Sequence, residues 1–301
     1  MRGLGLVAPV LALVAVMVYG TVQSNRPLPP QPLPSPNGYD DFLEAGQLVV
    51  GNPEAYTSTS PEKLRELLAT NAEALKLVKQ GLTRSCRART DFSVGNFSIH
   101  MNELARFKLL VHLLVAEGRL AEMEHRTNDA MQSYLDAVRF GQEACRGGLV
   151  IDKLVGIACQ ANGIQSLQKI VAGLDASQCR VAIQALEKAL TDGESRGEIM
   201  NHERRWSRAN TRFLDLIRVR MATRSLNPMK QTEKQLTVKM RHSEVVIKRV
   251  MIDLAGRAYQ VELGKPPGNL ADLVPAYLPA MPIDPVTGTK LNYLPILTGP
   301  R

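Results

Sequence analysis

The sequence predicts a mainly α-helical protein: an antiparallel bundle of helical hairpins, with an apolar helix at the N-terminus and a small irregular or β tail. Three observations lead there. Aromatic residues make up 5% of the chain and apolar residues 45%, with Ala and Leu abundant, a composition that suits helices better than strands. Apolar residues recur at spacings of three and four through most of the chain, the period of a helix that buries one face. The breaks between these stretches are short, and such connections join antiparallel neighbours. At 301 residues and 22% charged residues the chain can bury a core.

The first element is apolar. Arg2 and the free amine precede Gly3–Tyr19, which carries no charge. Extended to Val22 the run is about 20 residues, roughly 30 Å of helix, the thickness of a bilayer's hydrocarbon. The positive end stays in the cytoplasm and the rest crosses. The alternative is a cleaved signal peptide, cut after Gly20. The run is longer than a signal-peptide core of about 7–15 residues, which favours an uncleaved, single-pass anchor. No Cys follows it, so a lipoprotein cut is excluded. Pro27, Pro29, Pro30, Pro32, Pro34 and Pro36 come next. They form a polyproline stalk over 23–36, extended at about 3.1 Å per residue, that holds a domain on the exported, periplasmic side.

The helical-hairpin domain is expected over 37–195. A short helix covers Tyr39–Val49. Ser60 caps the next, with Pro61 at its first position, and Leu64, Leu67, Leu68, Ala72, Leu75 and Val78 place one continuous helix up to Gly81. Residues 83–98 read as a loop. Glu103–Met123, a helix capped by Asn128 and running to Ala144, Leu149–Ala172 and Ser177–Leu190 follow. The cysteines within these hairpins are expected to be free. Along a helix, ten residues are roughly 15 Å apart, and a disulfide needs Cα atoms within about 7 Å.

A basic segment covers 196–263. Between Arg196 and Arg257 lie fifteen Lys/Arg against six Asp/Glu. On its first helix Trp206, Ala209, Phe213, Leu216, Ile217 and Met221 fall on one side at 100° per residue, while Arg204, Arg205, Arg208, Arg212 and Arg218 fall on the other. Asn227–Pro228 ends it. A second helix from Glu233 to Leu263 carries the stripe Leu236, Met240, Ile247, Val250, Leu254, Ala258 and Val261. In the tail, 264–301, Asn269 and Asp272 match a capping box, the prolines forbid a longer helix, and Leu291–Tyr293 suits a short strand. Its apolar residues predict docking on Leu254, Ala258 and Val261.

Two local patterns resemble known families. Gly118, Ala130, Tyr134 and Ala137 have the small-and-aromatic spacing of a tetratricopeptide repeat, but no second copy follows, so the bundle is only weakly tetratricopeptide-like. The tail resembles the end of type II secretion major pseudopilins, through Pro267, Leu270, Leu273, Tyr277–Leu278–Pro279, the turn Pro282–Ile283–Asp284–Pro285–Val286–Thr287–Gly288, and Tyr293. The early glutamate of the pseudopilin cleavage motif and the acidic calcium loop are missing, so neither pseudopilus assembly nor calcium binding is implied. The whole layout is similar to a group of uncharacterised, membrane-anchored envelope proteins of planctomycete type. It shares the anchor, the proline stalk, the Asn37–Phe42 start, the Ala116–Leu120 hairpin and this tail, and the likeness implies no activity.

No catalytic constellation emerges. His100, His112, His125, His202 and His242 have no second ligand at metal spacing, and no phosphate loop or nucleophile elbow is present. His112, in an apolar stretch, reads as a core histidine. Asp284 reads as a turn residue that bonds the backbone. The expected function is a membrane-anchored envelope interaction or scaffold protein without catalysis or cofactor. Its expected partners are the membrane through the N-terminal helix, an envelope protein, and an anionic lipid or polymer against the arginine face. That face also suits a plain solvated surface. Nucleic acid is disfavoured by export and by the lack of aromatics among the arginines. The alternatives are a hydrolase-like envelope enzyme with a dispersed site and a polyanion-binding module. A scaffold's deepest groove should be neutral, whereas an enzyme's should gather titratable groups.

Overall fold

A computed structural model describes residues 32–53, 60–91, 93–210 and 228–291. Within them the protein is α-helical, with no strand. Helix α1 is Gly38–Leu48, α2 Pro61–Thr70, α3 Ala72–Leu82, α4 Phe97–Met123, α5 Thr127–Glu143, α6 Val150–Ile170, α7 Ala176–Thr191, α8 Arg196–Asn210 and α9 Pro228–Leu263. The apolar run 3–22, most of the stalk and the end of the tail lie outside the described residues. Among the described ones no helix is long and apolar enough to cross a membrane.

The helix starts follow local chemistry. Asn37 Oδ1 accepts from Tyr39 N at 3.3 Å, and Asp40 and Asp41 occupy the first turn of α1. Asp175 and Gln178 form a reciprocal capping box on α7, and Ser195 and Glu198 form one on α8 at 3.2 and 2.7 Å. Pro61 and Pro228 open α2 and α9, where a missing N–H costs nothing. Gly264, at φ 69°, takes the chain off the end of α9.

Several boundaries differ from the sequence reading. The helix expected from Ser60 to Gly81 is two, broken at Asn71. Its buried side chain donates to Val50 O (3.2 Å) and Leu67 O (2.9 Å) and accepts from Val50 N (2.8 Å), tying the end of the α1 connection to the break. Ser60 stands at the cap position of α2 without a side-chain bond to the backbone. Asn128 does not cap α5. Arg126 stands there, after His125 at φ 57°, and bridges Glu124 and Asp129. α4 begins at Phe97, six residues before the expected Glu103, because the 3-10 turn Val94–Asn96 runs directly into it. Of the α9 stripe Met240 is half-buried and Val261, at its end, is 42% exposed; the other members are buried.

Two large apolar clusters hold the bundle. The first joins α1 to α6, with Phe42, Phe107 and Phe140 at its centre. Phe42–Phe140 centroids are 4.7 Å apart and Phe107–Phe140 5.7 Å, both edge-to-face, the geometry aromatic quadrupoles prefer. The second joins α5, α6, α7 and α9 with the tail, and contains Leu167, Ile183, Leu186, Leu254 and Ala258. A smaller cluster of Val150, Ile199, Met200 and Leu236 fastens α8 and the start of α9 to the start of α6. α9 runs parallel to α6, since Leu236 packs near Val150 and Asp253 accepts from Gln168. α7 runs opposite to both.

The signature Gly118, Ala130, Tyr134 and Ala137 lies in the α4–α5 hairpin. The latter three are buried, and a Cβ on Gly118 would sit 2.4 Å from the Tyr134 ring. Only a glycine there lets the ring lie against the helix.

Residues 264–291 fold back along α9. Leu270, Leu273, Leu278 and Leu291 are buried in the second cluster. Tyr277 donates to Glu262 (2.7 Å), which also pairs with Arg180, and Arg180 lies 5.2 Å over the Tyr277 ring. Lys248 Nζ donates to Ile283 O at 2.9 Å. The proline-rich turn closes on Asp284, which accepts from Val286 N at 2.7 Å, with Gly288 at φ 71°. Asp284 is thus the turn residue expected. The strand expected at Leu291–Tyr293 lies, beyond Leu291, outside the described residues; just before it Ile283 and Lys290 form one antiparallel bridge.

Candidate functional site

The arginine face lies at one end of the bundle, and a chain of contacts fixes which end. Asn37, at the start of α1, exchanges hydrogen bonds with the Arg87 backbone at 2.9 Å both ways. Ala88 N donates to Arg146 O at 2.7 Å. Two residues on, His202 of α8 lies 3.3 Å from Gly148 O, and Glu203 accepts from Val150 N at 3.0 Å. The start of α1, the start of α6 and helix α8 therefore share one end.

At that end cations exceed anions. Over 196–210 and 228–241 there are eight Lys/Arg and three Asp/Glu. Two of the three acids are committed to backbone N–H groups, Glu198 at Ser195 and Glu203 at Val150. Arg208 is exposed, as are Lys230, Lys234, Lys239 and Arg241. Arg204 and Arg205 are half-buried, and Arg204 donates to Asn201 at 3.1 Å and lies 4.0 Å from Glu233. Arg212 and Arg218 lie outside the described residues. On the apolar side Trp206 packs 5.9 Å from Phe97, centroid to centroid, while Ala209 is exposed. The structure thus joins to the predicted face a second basic stretch, at the start of α9.

Beneath this end lies a polar cluster that sequence reasoning missed. His100 Nε2 is 2.9 Å from Asp152 Oδ1, with the side chains 2% and 0% exposed. The other Asp152 oxygen accepts from Leu149 N at 2.7 Å and so caps α6. His100 Nδ1 is 3.4 Å from Glu103. The Tyr39 hydroxyl is buried without a hydrogen-bond partner among the described residues. Burial, then the charges of Asp152, Glu103 and Asp40, pushes its ionisation well above the ordinary tyrosine value. Burial alone would lower the His100 pKa, but pairing with Asp152, then Glu103, outweighs it and holds the imidazole above its usual value. His100 and Asp152 are buried while Glu103 is part-exposed at the surface, and the His100–Asp152 contact ties α4 to α6.

His112, expected in the core, is half-buried and lines a groove between α4, α5 and α6. The groove encloses about 460 Å³, and Arg119, Glu122, Tyr134 and Lys169 also line it. It gathers titratable groups, which a purely apolar scaffold groove would not. Its carboxylate is occupied, however. Glu122 Oε1 accepts from Arg119 at 2.9 Å and Oε2 from Tyr134 at 2.9 Å. Burial and Glu122 together raise the Tyr134 pKa. The Tyr134 hydroxyl is therefore not poised for proton transfer near neutrality.

All four cysteines are free and buried. Burial pushes Cys86, Cys159 and Cys179 up to about 12, so they remain thiols and are poor nucleophiles. Among the described residues no group of three or more His, Cys, Asp or Glu is placed to hold a metal ion. No family model matches the chain, and neither a curated protein nor a solved structure matches it.

Proposed function

We propose that the protein is a membrane-tethered envelope interaction protein that turns its arginine-rich end toward an anionic surface. The apolar run 3–22 behind Arg2 is the tether, and the prolines up to Pro36 are the stalk. The observation that carries the reading is the shared end. The stalk joins at Asn37, and a line of backbone contacts leads from there to α8. A domain held at that end presents Arg204, Arg205 and Arg208 on the side nearest the membrane, where each cation near an anionic leaflet contributes about 1 kcal/mol. The pseudopilin-like tail, in its described part, packs along α9 from its far end.

A hydrolytic reading has the titratable groups of the groove in its favour. The engagement of Glu122 by Arg119 and Tyr134 counts against it, because Glu122 is the one carboxylate of the lining among the described residues and both its oxygens are taken.

Two measurements test the proposal. In alkaline carbonate extraction the protein should stay in the membrane pellet. Release with a new N-terminus at Thr21 would replace the tether by a cleaved signal. Purified full-length protein should co-sediment with anionic vesicles at low salt and less at high salt. Changing Arg204, Arg205, Arg208 and Arg212 to Gln should abolish the salt-sensitive part without lowering the melting temperature. Undiminished binding by that variant would reduce the arginines to a solvated face.

A further inference from the structure

The groove between α4, α5 and α6 lies toward the opposite end from the stalk, on the C-terminal halves of α4 and α6, and it has an imbalance of donors and acceptors. Asn162, Gln165, Ser166 and Lys169 line it from α6, and spacings of three, four and seven put them on one helix face. Asn162 donates to its own helix, at Ala158 O, 3.0 Å. Gln165, Ser166 and Lys169 have no side-chain hydrogen bond or ion pair among the described residues. From α4, Arg119 directs one nitrogen to Glu122 at 2.9 Å, which leaves most of its five N–H donors unused. Glu122 is the one carboxylate of the described lining, and both its oxygens are engaged. Beside His112 the groove therefore offers two cations, an amide and a hydroxyl, with Gln165 and Lys169 exposed and Ser166 half-buried, and the acidic acceptor of the described lining is already filled. Val115, Ala116 and the Tyr134 ring supply apolar wall for a carbon skeleton.

We propose that this groove is a binding site for a small oxyanion-bearing ligand, a carboxylate or a phosphate, with Lys169 and Arg119 as its cationic contacts and Gln165 and Ser166 as neutral donors. An ionised acceptor facing such donors makes charge-assisted hydrogen bonds, stronger than neutral ones. A volume of about 460 Å³ lies in the range of small-molecule pockets. The Arg119–Glu122–Tyr134 chain has a positioning role, because it fixes the guanidinium before a ligand arrives.

The test is titration calorimetry on full-length protein in mild detergent at constant ionic strength. The probes are inorganic phosphate, tri-alanine with a free C-terminal carboxylate, and tri-alanine amide. The site predicts saturable binding of phosphate or of free tri-alanine, at least tenfold weaker binding of the amide than of the acid, and at least a tenfold loss in Lys169→Gln. Lys265→Gln, an exposed cation elsewhere, should bind like the parent. Binding of phosphate alone assigns a phosphate-bearing ligand, and binding of free tri-alanine alone a carboxylate. Arg119→Gln should weaken binding as well. Since it also frees Glu122 and can cost stability, Lys169→Gln, which breaks no contact, carries the decision. Absence of saturable binding to either probe, or full affinity in Lys169→Gln, would overturn the site. Neither result bears on the arginine end, which the vesicle assay reads separately.

Discussion

His100 and Asp152 show what single residues contribute. A buried carboxylate is costly unless paired, and Asp152 is paired with an imidazole at an N···O distance of 2.9 Å and accepts a backbone N–H at 2.7 Å. Asp152→Ala removes both and strands His100, so urea unfolding should show a loss of about 3–5 kcal/mol. The pair also sets a pH dependence. Its folded-state pKa lies above the unfolded value of about 6.5, so its stabilisation is complete below about 6.5 and fades as pH rises through the folded value. The melting temperature should therefore fall over that upward pH range, and His100→Gln should flatten the slope; an unchanged slope would mean that His100 does not titrate there. Part of this was legible. His100, Leu104, Phe107 and Val111 are spaced four, three and four apart, and all are buried. His112 is one step, about 100°, off that stripe and looks into the groove. The apolar neighbours of His112 in sequence were a weaker signal than helix phase. Asp152 was not legible, because its partner lies on another helix and only the packing of α4 on α6 brings them together.

At the scale of elements, glycine decides how closely α5 and α6 approach. A Cβ on Gly141 would lie 2.6 Å from Gln160 N, and one on Gly156 would lie 2.4 Å from Gly141 O. Both neighbours are backbone and cannot step aside. Gly156→Ala should therefore cost about 1–3 kcal/mol or more in chemical denaturation. Gly173 has nothing within 4 Å of its Cβ position, and Gly173→Ala should be neutral or gain about 0.4–1 kcal/mol. Similar losses for the two would deny the close approach. The tail yields the second prediction at this scale. Leu273 is fully buried between α9 and the tail turn, so Leu273→Ala should cost about 2–5 kcal/mol and speed tryptic cutting at Lys290. Most helices were legible from period and caps, down to the Asn269–Asp272 box. The break at Asn71 was not, because the hydrophobic stripe runs through it unchanged and only tertiary bonds to Val50 turn the chain.

The whole molecule is polar along its length. The start of α1, α8 and the basic start of α9 lie at one end; the donor-rich groove opens toward the other. The sequence carries the charge bias and the prolines, and both were read directly. Which end each occupies depends on α6 and α9 running parallel, a tertiary fact that no local pattern encodes. The most direct measurement of this arrangement is energy transfer from a site-specific donor dye to an acceptor carried by lipid, in full-length protein reconstituted into anionic liposomes. One donor is placed at Ala209→Cys, exposed on α8, and the other at Lys265→Cys, exposed beyond α9; the four native thiols are buried and label poorly. A domain tethered with its arginine end toward the bilayer predicts clearly higher transfer from position 209 than from 265. Equal transfer, or higher transfer from 265, would contradict it.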